Sequence, residues 1–242
     1  MKATVASNGV EERTPSGSVA SALLTTARPA QWVKNLVVPL PFLFGAALAR
    51  REGWVLAAAG VGIFCAVASA IYLVNDVRDR ERDATHPVKR HRPMAAGRLN
   101  PTTAVVAALF LGLGGLTAAF VLSTAFGKWC ALYAGLMIFY SLGLKDVPFL
   151  EAFIVAAGLP LRALAGAALA AVPPSLFLMG CAFLLALFLV VGKRQWELQN
   201  AGHVSSAEHR AVLASYHTER LDFLFMATAL TVVAAYAAYT VA

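Results

Sequence analysis

Long, uncharged apolar runs alternate along this chain with short polar segments that carry most of its charge. A helix that crosses a bilayer needs about 20 mainly apolar residues, because the hydrocarbon core is about 30 Å thick. By this criterion the pattern predicts seven membrane-spanning helices. They cover approximately residues 32–49, 54–74, 101–126, 129–144, 149–171, 175–192 and 221–242.

The composition supports a membrane protein. Of the 242 residues, 59% are hydrophobic and 14% are charged, whereas a typical soluble domain has about 25% charged residues. The predicted fold class is therefore all-α, a polytopic transmembrane bundle over residues 28–242. Residues 1–27 are polar without an apolar core, and we predict that they form a disordered cytoplasmic tail. Pro39 and Pro41 lie in the first predicted span, where neighbouring helices would have to satisfy the freed backbone groups.

The net charge of +7 is unevenly distributed. Most lysines and arginines precede the first span, separate the second from the third, or follow the fourth and sixth spans. By the positive-inside rule these segments are cytoplasmic, where they would attract anionic headgroups or a polyanionic substrate. No basic module lies outside the membrane loops, so no nucleic-acid partner is expected. The three cysteines are isolated and predict neither a disulfide framework nor a zinc site.

An acidic cluster lies where the second predicted span ends. On a helix, at about 100° per residue, the side chains of Asn75, Asp76, Asp79 and Asp83 fall within an arc of about 100°. Their oxygens can therefore converge. Hard oxygen ligands suit Mg²⁺, which is commonly bound by one or two carboxylates together with substrate phosphates. The cluster thus predicts a site for Mg²⁺ and a pyrophosphate at the membrane surface.

Basic residues follow the acidic cluster directly. Lys89, Arg90 and Arg92 are candidate substrate-binding residues, because arginine binds phosphate oxygens bidentately and lysine binds them as a point charge. A solvated loop that only sets membrane orientation is the alternative. The adjacent acids favour the phosphate site, since an orientation signal does not need them.

Two further loops supply candidates for phosphate binding. In the first, Lys145 can contact phosphate and Glu151 begins the next span; an interfacial anchor with a helix-start carboxylate is the alternative. In the second, Lys193 and Arg194 form either a phosphate clamp or an ordinary positive flank. All four are counted as candidate substrate-binding residues.

One charge lies inside the fifth predicted span. An arginine at this depth, Arg162, is costly unless it is paired or hydrated, so it should face the bundle interior. It is a candidate for binding an anion that enters from the bilayer, or it forms a structural pair with an acid. Near the first span, Lys34 either snorkels to the lipid surface or points into the cavity.

The motifs in these segments resemble those of the UbiA superfamily of intramembrane prenyltransferases, whose first acidic motif is NDxxDxxxD. Within that superfamily they are most similar to the decaprenyl-phosphate phosphoribosyltransferases. The matching motifs are RPxQWxKN at 28–35, NDxxDxxxD at 75–83, HPxKRxRPxAAG at 86–97, LK-x5-E at 144–151 and GKR at 192–194.

This resemblance implies a Mg²⁺-dependent transfer of 5-phosphoribose from phosphoribosyl pyrophosphate to a polyprenyl phosphate, with release of pyrophosphate, for cell-wall arabinan precursors. It also implies a plasma-membrane protein whose active site faces the cytoplasm. The residues that would hold Mg²⁺ and the leaving pyrophosphate are Asn75, Asp76, Asp79 and Asp83, the three aspartates being catalytic. The leaving oxygens would be neutralised by Lys34, Lys89, Arg90 and Arg92. The remaining candidates, for the ribose 5-phosphate or the acceptor phosphate, are Lys145, Arg162, Lys193 and Arg194.

Two departures from the superfamily pattern leave alternatives open. The usual second acidic motif, DxxxD, is replaced by Asp146 and Glu151 beside Lys145. The superfamily also has nine spans, so we expect either that the last two helices are missing or that a homo-oligomer closes the bundle. The alternatives are a polyprenyl pyrophosphate-dependent transferase acting on an aromatic or other acceptor, and a non-catalytic membrane protein or transporter.

Overall fold

The computed structural model describes residues 18–44, 51–199 and 218–241, and these residues form helices and short connections without a β-strand. Three short 3₁₀ segments, Pro29–Val37, Lys89–His91 and Leu144–Asp146, lie between the α-helices. In chain order the α-helices are α1 (Val19–Ala27), α2 (Leu40–Phe44), α3 (Arg51–Arg78), α4 (Arg80–Ala84), α5 (Pro101–Leu122), α6 (Thr124–Leu142), α7 (Leu150–Ala170), α8 (Leu176–Gln199) and α9 (Thr218–Val241).

Six of these helices, α3 and α5 to α9, are long and apolar enough to cross a membrane. They correspond to the six predicted spans from residue 54 onwards, and the predicted all-α membrane bundle is confirmed. The first predicted span, 32–49, is wrong as one continuous helix: its described part is a 3₁₀ segment followed by α2, and residues 45–50 lie outside the described part. Pro39 and Pro41 explain the break, because proline has no N–H and disfavours helical geometry in the residue before it.

The predicted disordered tail is partly corrected by α1. Residues Val19–Ala27 are helical, and the Ser18 hydroxyl accepts a hydrogen bond from the Ser21 N–H as an N-cap. Ala22 packs in an apolar cluster with Leu73 of α3. The burial of apolar residues on α3 stabilises this helix, although residues 1–27 are polar as a whole. Residues 1–17, the rest of the predicted tail, lie outside the described residues.

The centre of the bundle is an aromatic cluster between α3 and α6. Phe64 is fully buried, and its ring centroid lies 5.8 Å from that of Phe126 and 5.4 Å from that of Tyr133. These edge-to-face and tilted ring contacts hold the two helices together in the middle of the bundle. The apolar side chains that α5, α8 and α9 leave exposed suit contact with lipid.

The segment before α3 lies close against α7 because of one glycine. A Cβ atom at Gly166 would be only 2.0 Å from the carbonyl oxygen of Val38. Only glycine therefore permits this approach of backbone to helix. The Trp32 indole donates to the Ser69 hydroxyl of α3 at 3.1 Å, so the 3₁₀ segment is held between α3 and α7.

Candidate functional site

The acidic cluster occupies the junction of α3 and α4. The Asp79 N–H donates to the Asn75 carbonyl at 2.9 Å, and the Asp83 N–H donates to the Asp79 carbonyl at 2.8 Å. Helical spacing therefore continues across the junction, which keeps these residues on one face. Asp76 and Asp83 are buried, with 2% and 4% of their surface exposed, while Asn75 and Asp79 are half-buried.

Two arginines from other segments pair with the buried aspartates. Arg28 Nη2 lies 2.5 Å from Asp76 Oδ1. Arg92 Nη1 lies 2.7 Å from Asp83 Oδ2 and 3.5 Å from Asp76 Oδ1. One guanidinium nitrogen thus lies between two carboxylates, so the two aspartates approach a common point.

The third aspartate pairs with the loop between α6 and α7. Lys145, itself buried, forms an ion pair with Asp79. A second contact joins the same elements, because Arg82 Nη1 lies 3.2 Å from Asp146 Oδ1 at the exposed edge. The structure thus places the candidate Lys145 at the aspartate cluster as the partner of Asp79, and its contact with a substrate phosphate stays a prediction.

Arg28 is a site residue that was not among the predicted ones. It has a left-handed backbone conformation, with φ of 56°, and its guanidinium lies 4.9 Å from the centroid of the Tyr72 ring. This strained turn at the end of α1 directs the chain into Pro29 and the 3₁₀ segment. The available signal was its place in the RPxQWxKN motif, immediately before the membrane.

The donor atoms fit Mg²⁺ shared with a substrate. Among the described residues, no three His, Cys, Asp or Glu side chains group closely enough to form a metal cage. Mg²⁺, however, is usually held by one or two carboxylates, several waters and substrate phosphates. Asp76 and Asp83 provide two carboxylates around one point, which meets that requirement. The four predicted ligands thus lie on one face, but they do not enclose a metal alone.

Arg162 is buried in α7 among neutral acceptors. Its Nε donates to Asn35 Oδ1 at 2.9 Å, its Nη1 to the Gly158 carbonyl at 2.6 Å and its Nη2 to the Tyr133 hydroxyl at 2.7 Å. Within the described ranges no carboxylate lies at ion-pair distance from it, so the predicted alternative of a pair with an acid is not found. The charge of the guanidinium is therefore not balanced by a carboxylate of the described residues.

Lys34 lies in the same electropositive region. Its pKa is lowered, first by partial removal from water and then by repulsion from Arg162, Lys193 and Arg28. Like charges therefore face one another in this region, although Arg28 and Lys193 also have acidic neighbours. An anion bound in this region would relieve the repulsion.

Arg194 and Glu151 form a buried fork between α8 and α7. Arg194 Nε lies 2.5 Å from Glu151 Oε1, and Nη2 lies 3.0 Å from Oε2; 4% and 0% of the two residues are exposed. Arg194 Nη1 also contacts Glu197 at 2.6 Å. The structure places Arg194 and Glu151 against each other as an ion pair, and their contact with substrate stays a prediction. Lys193 remains exposed, 3.9 Å from Glu197.

The remaining predicted cations lie in the loop between α4 and α5. Lys89 and Arg90 belong to the 3₁₀ segment Lys89–His91, the first half-buried and the second exposed. The Arg92 N–H donates to the Lys89 carbonyl at 2.9 Å. This turn carries the chain from the exposed basic residues to the arginine that bridges the aspartates.

Comparisons with known proteins identify the family of this chain. A model of the UbiA prenyltransferase family matches residues 38–242. The decaprenyl-phosphate phosphoribosyltransferase of Mycolicibacterium smegmatis is 36% identical, over 92% of this chain and 71% of the relative. That of Corynebacterium glutamicum is also 36% identical, over 97% of this chain and 71% of the relative.

A solved structure has the same fold. The UbiA homologue of Archaeoglobus fulgidus bound to DMAPP and Mg²⁺ matches with a TM-score of 0.76 at 18% identity, over 90% of this chain and 77% of that one. At this identity the likeness concerns the fold alone. Because the family pattern extends over most of the sequence and relatives above 30% identity align along nearly all of it, this chain belongs to the UbiA prenyltransferase family.

Proposed function

We propose that this chain transfers 5-phosphoribose from phosphoribosyl pyrophosphate to decaprenyl phosphate or a similar polyprenyl phosphate. Its relatives from M. smegmatis and C. glutamicum are named decaprenyl-phosphate phosphoribosyltransferases. The observation that carries the proposal is the alternation of carboxylates and arginines at the end of α3, where Asp76 and Asp83 meet Arg28 and Arg92. Phosphoribosyl pyrophosphate carries a pyrophosphate and a separate 5-phosphate. It therefore fits a site with many cationic residues better than a prenyl pyrophosphate does.

The proposed reaction is a displacement at the anomeric carbon of the ribose. The bond from C1 to the pyrophosphate oxygen breaks, and the pyrophosphate leaves with the electron pair. A phosphate oxygen of the lipid forms the new bond to C1. This oxygen is already anionic at neutral pH, so the reaction does not need a strong general base. Stabilising the charge that develops on the leaving group is then the main catalytic task.

The residues at the end of α3 are suited to that task. Asp76 and Asp83 would hold Mg²⁺ together with the pyrophosphate, and the ion would neutralise charge on the leaving oxygens. Arg28 and Arg92 can move from the aspartates to phosphate oxygens, which they bind through two parallel hydrogen bonds. Lys145 would keep Asp79 in place at the edge of the pyrophosphate site. The basic residues Lys34, Lys89 and Arg90 remain proposed contacts for the outer oxygens.

The region around Arg162 is the proposed position of the acceptor phosphate. Its charge lies within a membrane-crossing helix, has only neutral hydrogen-bond partners and faces Lys34. A lipid phosphate can reach such a place from the bilayer with its chain still among apolar helices. A soluble phosphate would instead approach from the polar loops, where Lys193 is exposed.

Replacing Arg162 by Gln should raise the KM for polyprenyl phosphate at least about tenfold, because a hydrogen bond from a charged donor is lost. The KM for phosphoribosyl pyrophosphate should stay within about twofold. Steady-state kinetics with each substrate varied in turn measures both values. Arg162→Lys keeps the charge and should recover part of the acceptor affinity. An equal increase in both KM values would contradict this position for the acceptor.

The proposed reaction is tested by following the ribose. The purified full chain receives phosphoribosyl pyrophosphate labelled in the ribose and decaprenyl phosphate, with Mg²⁺ or with a chelator. We expect label in an organic-extractable lipid, equimolar release of pyrophosphate, and loss of both with the chelator. A parallel sample receives a prenyl pyrophosphate and an aromatic acceptor. Product in that sample alone would identify a prenyltransferase instead.

The proposed location is the cytoplasmic face of the plasma membrane. Support comes from the lysines and arginines that flank the end of α3 and precede the first apolar segment. In vesicles of known orientation, phosphoribosyl pyrophosphate added outside should be used only when the α3–α4 junction faces outwards. Use of the donor in the opposite orientation alone would place the site on the other face.

A further inference from the structure

His86 lies between the acidic residues of α4 and the basic 3₁₀ segment Lys89–His91. Only 8% of its surface is exposed. Its N–H donates to the Asp83 carbonyl at 3.2 Å, and its own carbonyl accepts from the Arg90 N–H at 3.0 Å. The residue is therefore held by the backbone of an aspartate of the cluster on one side and of the basic 3₁₀ segment on the other.

The two ring nitrogens of His86 have different surroundings. Nδ1 accepts hydrogen bonds from the N–H groups of Val88 and Lys89, both at 3.2 Å. A ring nitrogen that accepts must be unprotonated, so the neutral ring carries its hydrogen on Nε2. This Nε2 is buried, and no atom of the described residues pairs with it. A buried donor without an acceptor costs folding free energy, so its persistence calls for a partner.

The neighbours of His86 indicate the chemistry of that partner. Asp83, three residues before it, and Arg92, six residues after it, form one ion pair at 2.7 Å. Lys89, whose N–H binds Nδ1, belongs to the basic segment. An acceptor that enters among these cations should be anionic and rich in oxygen. Phosphate oxygens meet both conditions and accept strong hydrogen bonds.

We propose that His86 is a further residue of the phosphoribosyl-donor site, whose Nε2–H donates a hydrogen bond to a pyrophosphate oxygen. The proposal rests on the donor chemistry of the proposed function and adds a residue to it. The loop fixes the ring in a single tautomer before the ligand arrives. No proton transfer is involved: the ring of His86 acts by orientation.

A pair of variants separates the two ring nitrogens. His86→Asn keeps an acceptor near the Nδ1 position for the Val88 and Lys89 N–H groups, and it removes the Nε2 donor. His86→Gln places a donor near the Nε2 position. The matched control is His91→Asn, because His91 lies in the same loop and is exposed.

The test uses inorganic pyrophosphate with Mg²⁺, titrated calorimetrically into the purified full chain. His86→Asn should weaken pyrophosphate binding about tenfold, the loss expected for one hydrogen bond to a charged group, while its thermal midpoint stays that of the wild type. His86→Gln should bind more tightly than His86→Asn, and His91→Asn should bind as the wild type does. Pyrophosphate affinity of His86→Asn within about twofold of the wild type would overturn the proposal.

If the His86 variants do not fold, a spectroscopic measurement on the wild type tests whether His86 contacts pyrophosphate. In wild-type protein labelled with ¹⁵N-histidine, the ring N–H signal of His86 should shift on addition of Mg²⁺ and pyrophosphate. It is assigned as the signal that remains in each single variant of the other four histidines. An unchanged signal at saturating pyrophosphate would overturn the proposal.

Failure of this proposal can be told from failure of the proposed function. Pyrophosphate binding does not require transfer of ribose. If the wild type transfers phosphoribose and His86→Asn binds pyrophosphate normally, only the role of His86 is wrong. If the wild type binds pyrophosphate through His86 but does not label the lipid, only the proposed reaction is wrong. A wild type that does not bind pyrophosphate at all would overturn both.

Discussion

Replacing Asp83 by Asn should lower kcat for phosphoribosyl transfer at least about a hundredfold, the usual effect of removing one group that stabilises developing charge. Asp83 is buried beside Arg92, and its carboxylate is one of the two that approach a common point. Asparagine has nearly the same shape and can still accept from Arg92, so the fold should persist. Asp79→Asn should act in the same direction. Steady-state turnover and thermal unfolding in detergent measure the two effects separately.

The matched control for these variants is Glu81→Gln. Glu81 belongs to the same acidic stretch, but its side chain is 93% exposed and its contact with Arg80 is 3.9 Å long. Such exposed pairs contribute little to stability, so both turnover and unfolding should remain within error of the wild type. Normal turnover in Asp83→Asn would show that the metal assignment is wrong. An equal loss in Glu81→Gln would show that general charge, not a defined site, matters.

Replacing Glu151 by Gln should lower the free energy of unfolding by about 3 kcal/mol, because removing one partner of a buried ion pair leaves the other charge uncompensated. Arg194 has 4% of its surface exposed, and both carboxylate oxygens of Glu151 engage it. The remaining contact with Glu197 cannot replace that fork. Chemical denaturation in mixed micelles measures the change.

Glu197→Gln is the control for the fork. Glu197 accepts from the same guanidinium but is more exposed, so its loss should cost under about 1 kcal/mol. Kinetics with phosphoribosyl pyrophosphate should accompany both measurements. If Glu151→Gln unfolds like the wild type but raises the KM for the donor, the carboxylate contacts substrate after all. That result would support the substrate-binding role expected from the sequence.

The lengths of the apolar runs and the helical repeat predicted much of the fold and of the acidic cluster. Uncharged runs of about 20 residues identify crossing helices because the bilayer sets their length, and six of the seven predicted spans have matching helices. The arc shared by Asn75, Asp76, Asp79 and Asp83 follows from the 3.6-residue repeat, and the backbone bonds across the α3–α4 junction preserve it. Both are local properties, which the neighbouring residues determine.

The ion-pair partners could not be predicted from helical periodicity, because ion pairs join residues far apart in the chain. Arg28 and Asp76 are 48 positions apart, and Lys145 and Asp79 are 66 apart. Helical periodicity gives the face of a residue but not the element that packs there. Arg194 was therefore predicted to be either a phosphate clamp or a positive flank, and its ion pair with Glu151 of α7 was not predicted. The backbone break near Pro39 and the buried ring of His86 depend on tertiary packing in the same way.

The length of α3 has a consequence for how the reaction should be measured. Its 28 residues extend over about 42 Å, some 12 Å more than the hydrocarbon core, so an end that carries polar residues can reach the headgroup layer. A polyprenyl phosphate at that depth stays in the membrane throughout the proposed reaction. The effective concentration of the acceptor is therefore its density in the membrane, which is set by its mole fraction among the lipids. Diluting the acceptor with inert phospholipid should slow the reaction, whereas enlarging the aqueous volume at constant donor concentration should not.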